Sequence, residues 1–258
     1  MLFKKDFTLV VFEKLLLTFR EHGYVLTSYE NLIQNKYSKV VVLKHDVDAK
    51  PKNSALTAQI ENKIGAVGSY YFRIIKKSND PDIIEIVKNL GHEIGYHYED
   101  LAQNDGDYEK AIINFRNNLK YFRKYYNVKT ICMHGSPMSK WDNRLIWHKY
   151  NYRDYEIIGD LSYDFDFSEY AYFTDTGRSW NDKRYSVRDI VSEGMQFKVK
   201  STYEFINLIS SNKLPSKIVI NFHPQRWNNN YLDWSIELIT QKLKNIIKRI
   251  LLLIRRRV

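Results

Sequence analysis

The 258 residues are enough for one large α/β domain or two small ones, and a hydrophobic content of 44% allows a substantial core. The single cysteine, Cys132, excludes an intramolecular disulfide framework, and we also expect no cysteine-based zinc site. Seven of the ten net positive charges lie between residues 241 and 258, where there is no acidic residue. The basic character therefore belongs to the C-terminal tail, and we expect no nucleic-acid-binding face on the domain.

The N-terminal segment lacks the pattern of a secretory signal peptide. Glu13 and Lys14 interrupt its apolar run, and no small-residue cleavage site follows. No stretch of the sequence reaches the roughly 18 uninterrupted apolar residues that a membrane-spanning helix needs. We therefore expect a cytoplasmic protein.

Helical apolar spacing alternates along the chain with short runs rich in β-branched and aromatic residues. We predict helices at 7–22, 28–35, 52–63, 82–89, 107–126, near 143–150, at 201–211 and at 231–255. We predict strands at 40–43, 68–74, 92–100, 130–135, near 156–159 and at 217–224. This order, with no internal break rich in Gly, Pro or Ser, predicts one α/β domain with a parallel sheet, as a barrel or a distorted barrel. The barrel is assigned to residues 1–240, and residues 241–258 form a basic amphipathic helical tail.

Ionisable side chains stand at the ends of four predicted strands. They are Asp46 with Asp48, His97, His134 and His223. Side chains alternate along an extended chain, so Asp46 and Asp48 share one face. In a parallel barrel the C-terminal strand ends lie on one rim, where catalytic groups sit, so we expect these residues to converge.

Two carboxylates on one face suggest a metal ligand beside a general base, because like charges need a cation or a proton between them. The structural alternative is a pair of solvated acids, with Asp48 as the N-cap of a helix from Pro51. A carboxylate with imidazoles would hold a divalent ion such as zinc, nickel or cobalt, with positions open for water and substrate. Such an ion suits hydrolysis of an amide or ester. His22, His92 and His148, away from the strand ends, are assigned structural roles.

Four motifs in matching order make the chain resemble the polysaccharide deacetylases of the NodB-homology, carbohydrate esterase 4 group. The resemblance is closest to the divergent branch whose first motif is His-Asp-Val-Asp. The motifs are Lys44-His45-Asp46-Val47-Asp48, Gly91-His92-Glu93-Ile94-Gly95-Tyr96-His97, Met133-His134-Gly135-Ser136-Pro137 and Phe222-His223-Pro224. The resemblance implies a distorted (β/α) barrel of NodB-homology type that removes an N-acetyl group from a sugar with a metal-bound water.

By motif position the resemblance implies that Asp46 is the general base and that His223 is the general acid. Asp48 and His97 would hold the metal ion. In the commoner pattern the two aspartates are adjacent, whereas Val47 separates them here, so the roles of Asp46 and Asp48 could be exchanged.

A second departure concerns the third metal ligand. The commoner second motif has another histidine four residues after the first, and here that position is Leu101. We choose His134 as the third ligand because it ends the neighbouring strand. Glu99, which shares a face with His97, is the reserve ligand and is otherwise assigned to substrate binding.

The remaining substrate contacts are predicted from a looser match. Asp175, Arg178 and Trp180 lie where the family has a substrate-contacting or base-orienting segment. Trp180 would stack on a sugar ring or be a buried structural residue. Arg178 would meet a carboxylate or phosphate on the substrate. Arg226, directly after the His-Pro motif, would likewise contact the substrate or be a buried structural residue.

The expected substrate is an N-acetylated sugar, nucleotide-linked or lipid-linked, in the assembly of a surface glycan such as O-antigen or capsule. One alternative is an amidase that acts on a small non-sugar amide. Another is a degenerate barrel that binds glycan without cutting it. Beyond about Lys248 the tail resembles an interfacial helix, so we expect peripheral contact with anionic lipid on the inner face of the membrane.

Overall fold

The computed structural model describes residues 5–181, 195 and 197–255, with side chains described as far as residue 247. The helices are α1 (Leu9–Glu21), α2 (Tyr29–Gln34), α3 (Lys52–Lys63), α4 (Pro81–Asn89), α5 (Asp100–Gln103), α6 (Tyr108–Phe122), α7 (Thr202–Ser210) and α8 (Tyr231–Arg255). The strands are β1 (Val25–Thr27), β2 (Val40–Val47), β3 (Ser69–Phe72), β4 (Glu93–Tyr98), β5 (Thr130–Met133), β6 (Gly159–Asp160), β7 (Ala171–Thr174) and β8 (Lys217–Phe222). Short 3-10 helices cover Asn143–His148, Tyr152–Tyr155 and Pro224–Arg226.

The strands form one sheet in the order β6-β5-β4-β3-β2-β8-β7, and β1 pairs with β2 beside this path. Every pairing of named strands is parallel. In the described part of the chain the outer strands β6 and β7 do not pair with each other, so the curled sheet does not close. This architecture confirms the predicted distorted (β/α) barrel.

Strand β2 lies in the middle of the sheet and is buried along its whole length. Its first four residues, Val40 to Leu43, suit a parallel strand that is covered on both faces. Its last residues pair with strands on both sides, with Asp46 opposite Tyr71 of β3 and Lys44 opposite Asn221 of β8. The first motif is therefore fixed by two neighbouring strands.

Apolar clusters cover the sheet. One joins α1 and α7 to β2 and β8, and another joins α3, α4 and α6 to β3, β4 and β5. In α1, the residues Phe12, Leu15, Leu16 and Phe19 have no exposed surface. Their helical spacing explains why this segment forms an amphipathic helix on the body of the domain.

Several predicted elements differ in extent from the observed ones. Strand β4 ends at Tyr98, because Asp100 begins the short helix α5. The helix predicted near residues 143–150 is a 3-10 helix. The strand predicted near 156–159 is reduced to the two residues of β6, and Glu156, with a left-handed backbone, ends the 3-10 helix before it. Strand β1 was not predicted, since three residues carry little periodic signal.

The predicted final helix from Tyr231 to Arg255 is present as α8. It is continuous across the predicted boundary at residue 240, and the last tail residues, 256–258, lie outside the described residues. None of the described helices combines the length and apolar composition that crossing a membrane requires.

Candidate active site

The predicted catalytic and metal-binding residues meet at the C-terminal edge of the sheet. His97 Nε2 lies 3.8 Å from Asp46 Oδ1 and 3.8 Å from Asp48 Oδ1. His134 Nε2 lies 3.6 Å from Asp48 Oδ1, and His223 Nε2 lies 3.9 Å from Asp48 Oδ2. The structure therefore brings these five side chains together around Asp48.

Hydrogen bonds at Nδ1 orient two of the imidazole rings. His97 Nδ1 lies 2.9 Å from the carbonyl oxygen of Cys132, and His134 Nδ1 lies 2.8 Å from Glu99 Oε2. Both oxygens only accept, so each ring carries its proton on Nδ1 and directs the Nε2 lone pair toward Asp48. Histidines that bind metals in proteins have this arrangement.

Two carboxylate oxygens at this point lack a hydrogen-bond partner. They are Asp46 Oδ1 and Asp48 Oδ1, both inaccessible to solvent. Facing acceptors repel each other in a buried site unless a cation or proton lies between them. Two ligands that share a zinc ion at about 2.1 Å in tetrahedral geometry are about 3.4 Å apart. The separations of 3.6 and 3.8 Å from Asp48 Oδ1 to His134 and His97 are close to this value, so Asp48 could share a metal ion with either imidazole.

The structural alternative for Asp48, an N-cap, is wrong. Helix α3 begins at Lys52 behind Pro51, and no side chain caps it. The side chain of Asp48 is 27% exposed, so this carboxylate lies at the open side of the cluster. Burial raises its pKa, but the neighbouring His134, His223 and His97 with Arg73 lower it to about 2.

Asp46 is held in the charged form. Lys44 Nζ lies 2.7 Å from Asp46 Oδ2, and the side-chain amide of Asn221 donates to the same oxygen at 2.9 Å. Burial alone would raise the pKa of Asp46, but Lys44, His97 and His223 together lower it well below its usual value. This leaves Oδ1 as the free acceptor. The contact of Lys44 was not predicted from the sequence, although alternation along β2 places this residue on the same face as Asp46.

Asp175 orients His223. His223 donates to this carboxylate from Nδ1, at 2.6 Å, and from its backbone N–H, at 3.1 Å. The Arg226 guanidinium and Trp227 Nε1 also donate to Asp175. Burial would raise the pKa of Asp175, but Arg226 and His223 lower it below its usual value. An ionised carboxylate here fixes the orientation of the His223 ring, which corresponds to the orienting role that was one prediction for this segment.

Glu99 contacts His134 rather than an open space. Arg73 Nε and Nη2 both donate to Glu99, which also accepts from His134 Nδ1. Burial would raise its pKa, but His134 and Arg73 lower it to about 2. The arrangement gives Glu99 a positioning role. No sequence pattern indicated Arg73, which lies just after β3.

The other predicted substrate contacts are directed into the protein. Trp180 is 3% exposed, and its ring nitrogen donates to Thr202. Arg178 donates to the carbonyl of Trp234 and lies over its ring. Arg226 is buried against Asp175. Trp180 is therefore a buried structural residue, which was one of its two predicted roles. The positions of the three side chains do not support the predicted contacts with a sugar or a phosphate.

Cys132 lies nearer to the candidate metal ligands than the expectation of no cysteine-based zinc site implied. Within the described ranges, the metal-capable group whose ligand atoms all lie within 4.8 Å of one another consists of Asp46, His97 and Cys132. This buried group could hold a metal ion. However, burial raises the pKa of the Cys132 thiol well above its usual value, and Lys44 already supplies a positive charge to Asp46. The thiol is thus protonated unless a metal ion is bound, and this group shares His97 with the set around Asp48.

The fold and the site together define an α/β barrel with a candidate metal centre beside two acid–base groups. No family model and no curated protein matches the sequence. Among solved structures, the chain is similar to the crystal structure of the Xyl-CE4 domain of a multidomain xylanase from the hindgut metagenome of Trinervitermes trinervoides. The identity is 14% and the TM-score 0.40, over 81% of this chain and 84% of that one. A likeness of this size carries no argument about activity, so the function is argued from the geometry.

Proposed function

We propose that this protein is a metal-dependent hydrolase that removes an N-acetyl group from a sugar. The supporting observation is the orientation of His97 and His134, whose Nε2 atoms face the unpartnered Oδ1 of Asp48. Directly beside them are an ionised carboxylate, Asp46, and an oriented imidazole, His223. Amide hydrolysis needs such a combination of electrophile, base and acid.

The metal ion would be held by Asp48, His97 and His134, and the mixed oxygen and nitrogen donors suit zinc first and nickel or cobalt next. When bound, such an ion polarises a carbonyl oxygen and lowers the pKa of water. Glu99 holds His134 in the correct tautomer, and the carbonyl of Cys132 does the same for His97.

Asp46 accepts the proton of the attacking water. Its Oδ2 is occupied by Lys44 and Asn221, which leaves Oδ1 directed at the cluster. The Lys44 ammonium keeps the carboxylate ionised, so the base is available at neutral pH. The same contact fixes the rotamer, which favours Asp46 rather than Asp48 as the base.

His223 protonates the departing nitrogen from Nε2. Asp175 accepts the hydrogen bond from Nδ1 and stabilises the charged ring before transfer. An amine leaves only after protonation, so an oriented acid favours an amide substrate. The sugar part of the proposal rests on the resemblance of the four motifs. A nucleotide-linked or lipid-linked sugar in surface glycan assembly is the finer form of the proposal.

Two alternatives keep the fold. An amidase for a small non-sugar amide would use the same five residues. A glycan-binding barrel without activity would need neither an ionised base nor an oriented acid near Asp48. The contacts of Asp46 and His223 therefore favour an enzyme.

The test combines metal analysis with an acetate-release assay. We expect about one divalent ion per chain in the wild-type protein, lost in His97→Ala and His134→Ala and kept in His148→Ala, an exposed histidine outside the site. Acetate release would be measured on free, nucleotide-linked and lipid-linked N-acetylhexosamines and on small aryl acetamides. Activity on aryl acetamides alone would select the amidase. Failure to bind metal after reconstitution would contradict the proposal.

A further inference from the structure

Helix α8 packs on the domain with its polar side. Three polar residues at helical spacing, Glu237, Gln241 and Asn245, are 7%, 5% and 8% exposed. Glu237 lies 3.6 Å from Lys50, and the side chain of Asn245 donates to the carbonyl of Gly177 at 2.8 Å. These contacts fix the rotation of the helix about its axis.

The opposite side of α8 is apolar and faces outward. Its residues and their exposed fractions are Leu232 (70%), Ile236 (57%), Ile239 (61%), Leu243 (59%), Ile246 (54%) and Ile247 (54%). A surface helix normally buries its apolar side against the core, and α8 does the reverse. A continuous exposed row of this kind marks an interaction surface, whereas exposed apolar residues scattered singly do not.

Positive charge accompanies this apolar row. Lys242 and Lys244 are exposed on either side of Leu243. In the sequence the segment from Gln241 to Val258 has seven Lys or Arg residues and no acid. A second copy packed in parallel on this row would bring two such segments together, at a cost from like-charge repulsion. An anionic surface would instead neutralise them.

We propose that the outward side of α8 binds the surface of a membrane that contains anionic lipid. The apolar row inserts at the level of the lipid headgroups, and the flanking lysines meet the lipid phosphates. The helix lies in the plane of the surface and does not cross it. This surface begins at Leu232, well before the segment beyond Lys248 that the sequence indicated. The inference does not depend on the catalytic proposal.

Helix α8 lies close to two segments of the candidate active site. It contacts Gly177 and Arg178, two and three residues after Asp175. It also packs against the 3-10 helix Pro224–Arg226, directly after His223. Binding would therefore leave only α8 between these segments and the proposed membrane surface.

The test measures co-sedimentation of the full chain with vesicles of equal parts phosphatidylglycerol and phosphatidylcholine, and with pure phosphatidylcholine vesicles. We expect strong binding to the first that falls with added salt, and weak binding to the second. Leu243→Asp should lower affinity for the anionic vesicles at least about tenfold. Ile113→Asp, an equally exposed apolar position on α6, should leave the affinity unchanged.

A second pair of variants tests the charge. Lys242→Glu with Lys244→Glu should lower affinity at least about tenfold, since each basic residue near an anionic surface contributes about fivefold. Lys120→Glu with Lys124→Glu, exposed on and just after α6, is the matched control.

Other outcomes would overturn the proposal. Equal binding to both kinds of vesicle, with no effect of the lysine variants, would remove the role of anionic lipid. A lipid-free dimer that Leu243→Asp converts to a monomer, without vesicle binding, would assign the row to a second copy of the chain. A monomer that binds no vesicle would also contradict the proposal. Light scattering with size-exclusion chromatography distinguishes the last two outcomes.

Discussion

His134 lies near Oδ1 of Asp48 and His223 near Oδ2, and each ring donates a hydrogen bond from Nδ1 to another carboxylate. On the His134 side the acceptor, Glu99, shares its oxygens with Arg73. On the His223 side the acceptor, Asp175, is completely buried and has donors on both oxygens.

The two sides differ in whether an oxygen atom lacks a hydrogen-bond donor. Asp48 Oδ1 faces the Nε2 atoms of His97 and His134 and has no donor. The acid side is complete within itself, so the proposed proton exchange at His223 would leave Asp175 in place. The metal side would be complete only with a cation. In the proposed mechanism the two halves of the site use the same hydrogen bond for different purposes, one to prepare a metal ligand and the other to support an acid.

The largest expected effect distinguishes the role of Asp46 from that of Asp48. Asp46→Asn should lower kcat by about 10² to 10⁴ fold and leave the metal content unchanged, because the base is lost and the ligands remain. Asp48→Asn should lower the metal content as well. Elemental analysis beside acetate-release kinetics measures both. Loss of metal in Asp46→Asn with retention in Asp48→Asn would show that the two roles are exchanged.

The next largest effect is expected from a substitution on the acid side. Asp175→Asn leaves the buried Arg226 guanidinium without its charged partner, and we expect a loss of about 3 to 5 kcal/mol in the free energy of unfolding. Urea denaturation measures it. A loss below about 1 kcal/mol would mean that Arg226 finds another partner and that the acid side is less closed than its contacts indicate.

A buried carboxylate whose pKa is raised, Asp160, contrasts with Asp175. Asp160 accepts hydrogen bonds from Tyr98, Trp147 and Ser162, and burial raises its pKa to about 6. Since the pKa in the unfolded chain is about 3.9, folding favours the protonated form. The resulting stabilisation is present below about pH 4 and lost as the pH rises through 6, with a difference of about 3 kcal/mol.

Asp160→Asn should remove this pH dependence. Urea denaturation at pH 4.5 and 7.5 is the measurement, and the variant should gain stability relative to the wild type as the pH rises. A relative stability that does not change with pH would show that Asp160 is ionised throughout, as Asp175 is.

The smallest effect concerns the metal side. Glu99→Gln keeps an acceptor for His134 Nδ1 but removes the charge that pairs with Arg73, so metal affinity should fall about 10-fold to 100-fold. Competition with a chromophoric chelator measures the affinity. An unchanged affinity would mean that Glu99 serves Arg73 rather than the ligand ring.

Much of the site was predictable because parallel strands bring their C-terminal ends to one edge. Asp46, His97, His134 and His223 each lie at or just after the C-terminal end of a recognisable strand, and their convergence needs only the sheet order. The barrel was predictable as well, since strand and helix alternate in the sequence.

Other features depend on contacts that no local pattern records. Asp175 and His223 are 48 residues apart, and Asp175 lies in a segment without clear periodicity. The partnership of Arg73 with Glu99 joins two loop residues. In α8 the sequence shows which side is apolar, but the side that faces the body depends on Glu237 and Asn245 finding partners there.

Strand β2 sends neighbouring residues to opposite sides of the sheet. Asp46 faces His97, whereas His45 faces away, with its Nε2 2.7 Å from Glu61 and its ring stacked on Tyr70. Insertion of one residue before His45 would exchange the two faces and put an imidazole at the position of the proposed base, and deletion of one residue would put Val47 there. The loops after Asp48 can therefore change in length during evolution. The strand cannot, because a change of a single residue would reverse its two faces.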